Sequence, residues 1–176
     1  MIERTLVLIK PDGVKRGIAG KIITRFEDAG FKIIGMKMFW ADEEFAKKHY
    51  TEDISERRGE KVRTLLTGFL KEGPVIAFAI EGVNAIENVR KMVGATEPKS
   101  AQPGTIRGDF AHVSFAQADK NDRPVANLIH ASSDKDDAKS ELELWFSSKE
   151  LHSYNTVHDY YVMHEREGDE IDTEEE

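Results

Sequence analysis

The sequence predicts an α/β protein of the α+β sandwich type, in which an antiparallel or mixed sheet is covered by helices. Two observations predict this fold. Short runs of β-branched and apolar residues alternate with longer segments that repeat apolar residues every three or four positions, and glycine or proline separates several of these segments. The chain has 176 residues, of which 39% are hydrophobic, and this is enough for one domain with a full core.

The first elements alternate between strand and helix. Residues Thr5–Ile9 are predicted to form a buried strand, which stops at the turn sequence Lys10-Pro11-Asp12-Gly13. The apolar spacing over Ile18–Ala29 predicts a helix, and Gly30 supplies its C-terminal end. The looser alternation over Lys32–Trp40 predicts the second strand.

Helices dominate the next segment. Asp42 is expected to cap a short helix that runs to Tyr50. The polar stretch Thr51–Gly59 is predicted to be a connector, and a helical stretch then continues to Leu70. Gly73-Pro74 ends that helix, because proline cannot continue it.

The last elements flank a long segment without a regular pattern. Val75–Ile80 is predicted to be the third strand, and Asn84–Val93 a helix with Asn84 as its cap. Ala95–Ala126 is predicted to be irregular, and loops of this length are usually functional or disordered. Val125–His130 is predicted to be a short strand, and Asp134–Phe146 the closing helix.

The negative charge is concentrated at the C-terminus. Residues 165–176 hold eight acidic side chains and one arginine, so they account for most of the net charge of −8. We therefore predict a domain over 1–164 and an acidic, disordered tail over 165–176. The nearly neutral body argues against strong nucleic-acid binding, and no apolar run is long enough for a membrane span. Because cysteine and a signal-peptide pattern are absent, the expected location is the cytoplasm.

His130 is the first candidate for chemistry. A short strand delivers it to a Ser-Ser-Asp turn that opens a helix, and Glu141 follows eleven residues later. A histidine at a strand end, beside a helix that can return a carboxylate to it, is a plausible phosphate-accepting nucleophile. The alternative interpretation is a half-buried histidine followed by a Ser/Asp helix cap.

Several other residues can meet phosphate. Lys10 emerges where the first strand ends, while Arg90, Thr96 and Arg107 flank the first half of the long irregular segment. An arginine fork suits phosphate oxygens, and threonine adds a hydroxyl donor. The alternatives are a surface lysine in an ordinary turn and an Arg107–Asp109 salt bridge that only pins the loop. The sequence has no P-loop, no G-x-G-x-x-G and no H-E-x-x-H.

Together these residues form a set that resembles the nucleoside diphosphate kinase family. The resemblance runs in order from about Thr5 to about Tyr154. It rests on the following residues: Lys10-Pro11-Asp12-Gly13-Val14, Tyr50, Gly73-Pro74-Val75, Arg90, Thr96, Pro103-Gly104-Thr105-Ile106-Arg107-Gly108-Asp109-Phe110, Asn127, His130, Glu141 and Leu144-Trp145-Phe146.

The resemblance implies a ferredoxin-like fold with a four-stranded antiparallel sheet, assembled into a homo-oligomer that is a hexamer or a tetramer. It implies a Mg²⁺-dependent ping-pong enzyme. The γ-phosphate of a nucleoside triphosphate moves to His130, and the phosphohistidine passes it to a nucleoside diphosphate. Mg²⁺ is expected on the nucleotide phosphates, with no direct protein ligand.

The resemblance also assigns roles to individual residues. Glu141 orients His130, the nucleophile. Asn127 is expected to face the sugar hydroxyls, and Lys10 serves both catalysis and binding. The nucleotide-binding residues are Lys10, Tyr50, Arg90, Thr96, Arg107, Asn127 and, beside the nucleophile, Ser132.

The chain departs from the family pattern at three places. Ala131 and Ser133 stand where the family has glycine and aspartate, and Val62 stands where the family stacks an aromatic on the base. The stretch from Arg107 to His130 is longer than usual, so that 111–126 contains an insertion. Two rival functions stay open: a binding or regulatory protein on the same fold that holds nucleotide but turns over poorly, and a histidine protein kinase-like phosphocarrier that relays phosphate to another protein.

Overall fold

The computed structural model describes residues 1–162, so the predicted boundary at 164 and the acidic tail lie outside the described residues. Its sheet has four strands, all antiparallel to their neighbours, in the order β2-β3-β1-β4. The strands are β1 (Ile2–Ile9), β2 (Lys32–Phe39), β3 (Val75–Val83) and β4 (Ile129–Ala131). This order and pairing confirm the ferredoxin-like α+β prediction.

Helices cover both faces of the sheet. In chain order they are α1 (Pro11–Lys15), α2 (Ala19–Asp28), α3 (Glu43–His49), α4 (Glu52–Arg58), α5 (Glu60–Leu70), α6 (Ala85–Val93), α7 (Ile106–Phe110), α8 (Phe115–Lys120), α9 (Lys135–Trp145) and α10 (Val157–Val162). Within residues 1–162, no helix combines the length and the apolar composition needed to cross a bilayer.

The core explains why β1 is apolar at every position in its second half. Successive side chains of a strand point to opposite faces. Leu6 and Leu8 accordingly pack in the cluster that contains Trp145 of α9, while Val7 and Ile9 pack in the cluster that contains Phe26 of α2. A strand covered on both faces has no position at which a polar side chain reaches water.

Two predicted irregular segments contain helices. The expected connector Thr51–Gly59 is mostly helix α4, and the segment Ala95–Ala126 holds α7 and α8. Neither α4 nor α8 buries a side chain fully, so their sequences lack the apolar spacing of a packed helix. The Lys10–Gly13 turn is likewise the start of a helix, with Pro11 as the first residue of α1.

The predicted caps and the fourth strand have mixed outcomes. Asp42 and Asp134 accept the backbone N–H groups three residues on, as expected of N-caps. Asn84 makes no such bond and has a left-handed backbone, with φ of 48°. The strand predicted over Val125–His130 is shorter, because Leu128 has φ of 70° and cannot join a ladder.

Candidate active site

The predicted site residues converge on one cavity of about 720 Å³. It lies where the ends of β1 and β4 meet α9, and helices α4, α5 and α8 complete its walls. The predicted residues that line it are Lys10, Tyr50, Arg90, Thr96, Arg107, Asn127, His130 and Glu141. Ser132 is fully buried and hydrogen-bonds Glu141 instead of lining the cavity.

His130 and Glu141 form a close pair. His130 is the middle residue of β4, held opposite Leu8 of β1, while Glu141 lies on α9, which Asp134 caps. His130 Nε2 lies 2.8 and 3.0 Å from the two carboxylate oxygens of Glu141. A neutral imidazole carries one proton, so the carboxylate fixes that proton on Nε2 and leaves the lone pair on Nδ1.

The Glu141 carboxylate is itself held in place. Ser132 Oγ donates to Oε2 at 2.6 Å and also accepts from the backbone N–H of Leu6 on β1 at 3.3 Å. Burial acts to raise the pKa of Glu141, but His130, His49 and Ser132 together hold that pKa below its usual value. The carboxylate is therefore charged at neutral pH and faces the histidine.

His49 is a member of this site that the sequence reasoning missed. The imidazole of His49 packs edge-to-face on that of His130, with ring centroids 4.8 Å apart, and its Nδ1 accepts from Trp145 Nε1 at 3.3 Å. Burial, followed by the charge of His130, lowers the pKa of His49 to about 3, so it stays neutral. No local pattern in the sequence around His49 signals this role, because His49 and His130 meet only through tertiary packing.

Lys10 is buried at the end of β1. Its Nζ donates to Asn127 Oδ1 at 2.8 Å, and Asn127 Nδ2 donates to the Thr96 carbonyl at 2.8 Å. Both polar atoms of Asn127 are thus used within the protein, where we expected them to face a sugar. Burial, followed by the charge of Arg107, lowers the pKa of Lys10 to about 8, although Asp12 opposes the shift.

Arg107 is fixed by the backbone around it. It donates to the carbonyls of Gly94 at 2.9 Å, Ile129 at 2.7 Å and Asn127 at 3.3 Å. Burial, followed by the charge of Arg90, lowers the pKa of Arg107 to about 10, so it remains a cation at neutral pH. The alternative in which Arg107 pairs with Asp109 is wrong, because the Asp109 carboxylate binds Arg25 at 2.7 Å.

The other predicted ligands differ in exposure. Tyr50 is buried, and burial, followed by Glu141, raises the pKa of its hydroxyl. Arg90 and Thr96 also line the cavity but are exposed. Of the three predicted cations, Lys10 and Arg107 are therefore buried and Arg90 is exposed.

The family-model comparison identifies the chain. Residues 3–151 match the model described as nucleoside diphosphate kinase, which covers most of the sequence. The chain belongs to the nucleoside diphosphate kinase family. It is accordingly a phosphotransferase that acts between nucleoside triphosphates and nucleoside diphosphates, and enzymes of this family typically need a divalent cation.

Relatives from distant organisms are similar over nearly their whole length. The nucleoside diphosphate kinase of Borreliella burgdorferi is 46% identical over 155 residues, which cover 88% of this chain and 93% of the relative. That of Pyrococcus horikoshii is 48% identical over 160 residues, covering 90% and 94%.

Solved structures agree in fold. A transition-state mimic of nucleoside-diphosphate kinase from Borrelia burgdorferi, with bound vanadate and ADP, has a TM-score of 0.89 and 44% identity, and covers 91% of this chain and 96% of that one. A halophilic nucleoside diphosphate kinase from Halobacterium salinarum, in complex with CDP, has a TM-score of 0.78 and 37% identity, covering 92% and 98%.

Within this nucleoside diphosphate kinase, the departures in sequence sit around the cavity. Ala131 and Ser133 both line it, and so does Val62 of α5. Asp134 caps α9 directly after Ser133, so the turn behind His130 keeps its helix cap. The altered turn therefore leaves the His130–Glu141 pair formed.

One group of described side chains also has the spacing of a metal site. His49, His130 and Glu141 each offer one ligand atom, and these atoms lie within 4.8 Å of one another. Two imidazole nitrogens suit zinc or copper better than Mg²⁺, which prefers oxygen ligands. This donor set does not fit a protein-bound Mg²⁺.

Proposed function

We propose that this kinase works by a ping-pong mechanism in which His130 carries the phosphoryl group. The observation that carries the proposal is the hydrogen bond that His130 Nε2–H donates to Glu141, because it makes Nδ1 the nucleophilic nitrogen. Nδ1 attacks the γ-phosphorus in line, a P–N bond forms, and the bond to the β-bridging oxygen breaks. The nucleoside diphosphate leaves with that electron pair.

The imidazole becomes cationic as the P–N bond forms, and Glu141 stabilises that cation. In the second half-reaction a terminal oxygen of a different nucleoside diphosphate attacks the phosphohistidine, the P–N bond breaks, and neutral His130 returns. Neither half needs a general base, because the attacking nitrogen already has its lone pair and the attacking diphosphate oxygen is already an anion. Ser132 and His49 act as positioning residues through Glu141 and the imidazole ring.

The proposed nucleotide ligands divide by their chemistry. Lys10, Arg90 and Arg107 neutralise the phosphate oxygens, and the buried guanidinium of Arg107 is already held in place by three carbonyls. Thr96 and Tyr50 add hydroxyl groups. Asn127 positions Lys10 by accepting a hydrogen bond from its Nζ, and it can also contact the sugar.

Mg²⁺ is proposed as the divalent cation. It would be held by phosphate oxygens and water, with no direct protein ligand, and would neutralise charge on the phosphates. The cavity lining has more lysine and arginine side chains than carboxylates. Because carboxylates are the protein ligands that Mg²⁺ prefers, this lining fits a metal that is bound to the nucleotide when it enters.

A homo-oligomer, either a hexamer or a tetramer, is part of the same proposal. β2 is an outer strand of the sheet, and its Met36 and Met38, with Trp40 directly after it, are 47%, 63% and 65% exposed. An outer strand with exposed apolar side chains is a surface on which another chain can pack. The cytoplasmic location and the domain boundary at 164 stay predictions from the sequence.

One labelling experiment tests the proposal. The protein is incubated with γ-labelled ATP and Mg²⁺, and an acid-labile, alkali-stable phosphoenzyme is isolated and chased with unlabelled GDP. We expect label on the protein, its transfer to GTP, and no label on His130→Ala. Binding without labelling would point to the regulatory function, and label that no nucleoside diphosphate removes would point to the phosphocarrier.

A further inference from the structure

We propose that Phe115, carried by helix α8 in the insertion, supplies the aromatic face on which the nucleobase stacks. The inference rests on the proposed function, because it requires a nucleoside phosphate in the cavity.

The lining of the cavity contains two chemically different groups. Lys10, Arg107 and His130 belong to a polar, cationic group suited to a polyphosphate. Helix α5 contributes a second, apolar group of Val62, Leu65 and Leu66, which Ile54 of α4 extends, while the other lining residues of α4, Asp53, Arg57 and Arg58, are charged. A nucleotide has the same division between its phosphates and its flat base. The base is therefore expected to lie against the apolar group.

Phe115 is the aromatic side chain best placed to meet that base. Among the described residues that line the cavity, the aromatic rings are those of His49, Tyr50, Phe115 and the nucleophile His130. His49 and Tyr50 are buried, so their faces are occupied by the protein. Phe115 lines the same cavity with 44% of its surface exposed, which leaves its ring available for stacking.

The insertion is anchored on the side that precedes α8. The backbone N–H of Phe115 donates to Glu97 Oε1 at 2.8 Å, and the Lys99 N–H donates to the Val113 carbonyl at 3.1 Å. Ser114 caps α8 by accepting the Gln117 N–H at 3.2 Å. These bonds fix the backbone that carries Phe115, so little conformational entropy is lost when a base stacks on its ring.

The other side of the insertion is tied to the opposite wall. Arg123 pairs with Glu72 at 2.8 Å, and Asp122 pairs with Lys61 of α5 at 2.5 Å. Val62 and Leu66 of α5 line the same cavity as Phe115 and Arg123 of the insertion. A base between them would contact Val62 as well as Phe115.

The test measures discharge of phosphorylated enzyme by two acceptors, ADP and the base-free ribose 5-diphosphate. The variants are Phe115→Ala, Phe115→Leu and Phe115→Tyr. Gln117→Ala is the matched control, since it removes an exposed side chain from the same helix outside the cavity lining. For Phe115→Ala we expect the ADP concentration at half-maximal discharge to rise about tenfold, as for loss of one base–aromatic stack, with the maximal rate unchanged.

The comparison between acceptors decides the outcome. We expect ribose 5-diphosphate to be used equally well by the wild type and by Phe115→Ala, Phe115→Tyr to behave as the wild type, and Phe115→Leu to fall between. An unchanged response to ADP, or equal losses for both acceptors, would overturn the stacking role. If Phe115→Ala unfolds, the difference in discharge by ADP between Phe115→Leu and Phe115→Tyr tests the stacking role. Failure of the wild type to become phosphorylated would instead overturn the proposed function.

Discussion

The cavity has two parts that are built in different ways. The phosphate-facing part surrounds His130, and the mouth is formed by α4, α5 and α8. Around His130 most functional groups are attached to the sheet or to a helix, and several are joined by short hydrogen bonds, as in Ser132–Glu141–His130. At the mouth, α4 and α8 bury no side chain fully, and exposed ion pairs such as Lys61–Asp122 connect the walls.

The two parts differ in how precisely their side chains must be placed. In-line phosphoryl transfer depends on placing the nucleophile and the cations, and small displacements are costly. A base only has to find a flat apolar surface, which sequence-tolerant stacking can supply. Substitutions in the first part should therefore change the chemical step, and those at the mouth should change mainly apparent affinity.

The largest effect short of removing His130 is expected for Glu141→Gln. The amide keeps the size of the carboxylate but not its charge, so the cation formed on the imidazole loses its counter-ion. We expect the rate of phosphoenzyme formation, measured by rapid quench, to fall about 10²- to 10³-fold. Glu143→Gln, an exposed residue of the same helix, is the control. Equal rates in the wild type and Glu141→Gln would contradict the role of Glu141.

The second-largest effect on activity is expected for Lys10→Met. It removes a buried cation and leaves Asn127 Oδ1 without its donor, so both phosphate binding and the local hydrogen bonds suffer. We expect kcat/KM for nucleoside diphosphates to fall roughly 10²-fold. Lys21→Met, which removes an exposed lysine of α2, should leave kcat/KM unchanged.

The lowered pKa of Lys10 also predicts opposite pH trends for phosphate binding and for protein stability. Its pKa is about 8 in the folded protein, so affinity for phosphate groups should weaken as the pH rises through that value. The unfolded chain binds this proton more tightly, up to its ordinary pKa of 10.5. The contribution of Lys10 to the free energy of unfolding should therefore increase from about pH 8 upward. Titration calorimetry and urea unfolding, each compared with Lys10→Met, measure the two trends.

The same contrast explains what the sequence could predict. Strand β1 was found because its whole apolar run is buried, whereas the cations were predicted from the resemblance, because their order along the chain is that of the family. Helix α4 was missed because it has no buried face, although Glu52 and Asp53 at its start and Arg57 and Arg58 at its end suit the helix dipole.

Contacts between residues far apart in the sequence could not be predicted from local sequence patterns. Nothing around His49 indicates that it lies beside His130, because the two are brought together only when α3 packs near α9. Leu128 has a positive φ although it is neither glycine nor asparagine. Its N–H bonds Asp12 and its carbonyl bonds the Lys10 N–H, contacts that no local rule predicts.

A moderate effect is expected for Trp145→Phe. It removes the N–H donor to His49 Nδ1 and leaves an aromatic side chain in the core. If that hydrogen bond of about 1 kcal/mol is needed to keep His49 against His130, kcat should fall about fivefold. Trp40→Phe removes a surface tryptophan N–H bonded to Lys71 and serves as the control. A loss of stability with kcat unchanged would assign Trp145 to the core alone.

The smallest effect is expected at the mouth, for Asp122→Asn. Asparagine tolerates the left-handed backbone of Asp122, where φ is 52°, so the substitution removes charge and little else. Both partners of the Lys61–Asp122 pair are largely exposed, and such pairs contribute at most about 1 kcal/mol. A double-mutant cycle with Lys61→Met should therefore give a small coupling energy, and the KM for ADP should change less than about twofold. A large coupling, or a large rise in KM that high salt reproduces in the wild type, would mean that this ion pair holds Phe115 in place. The mouth would then be as tightly specified as the phosphate-facing part.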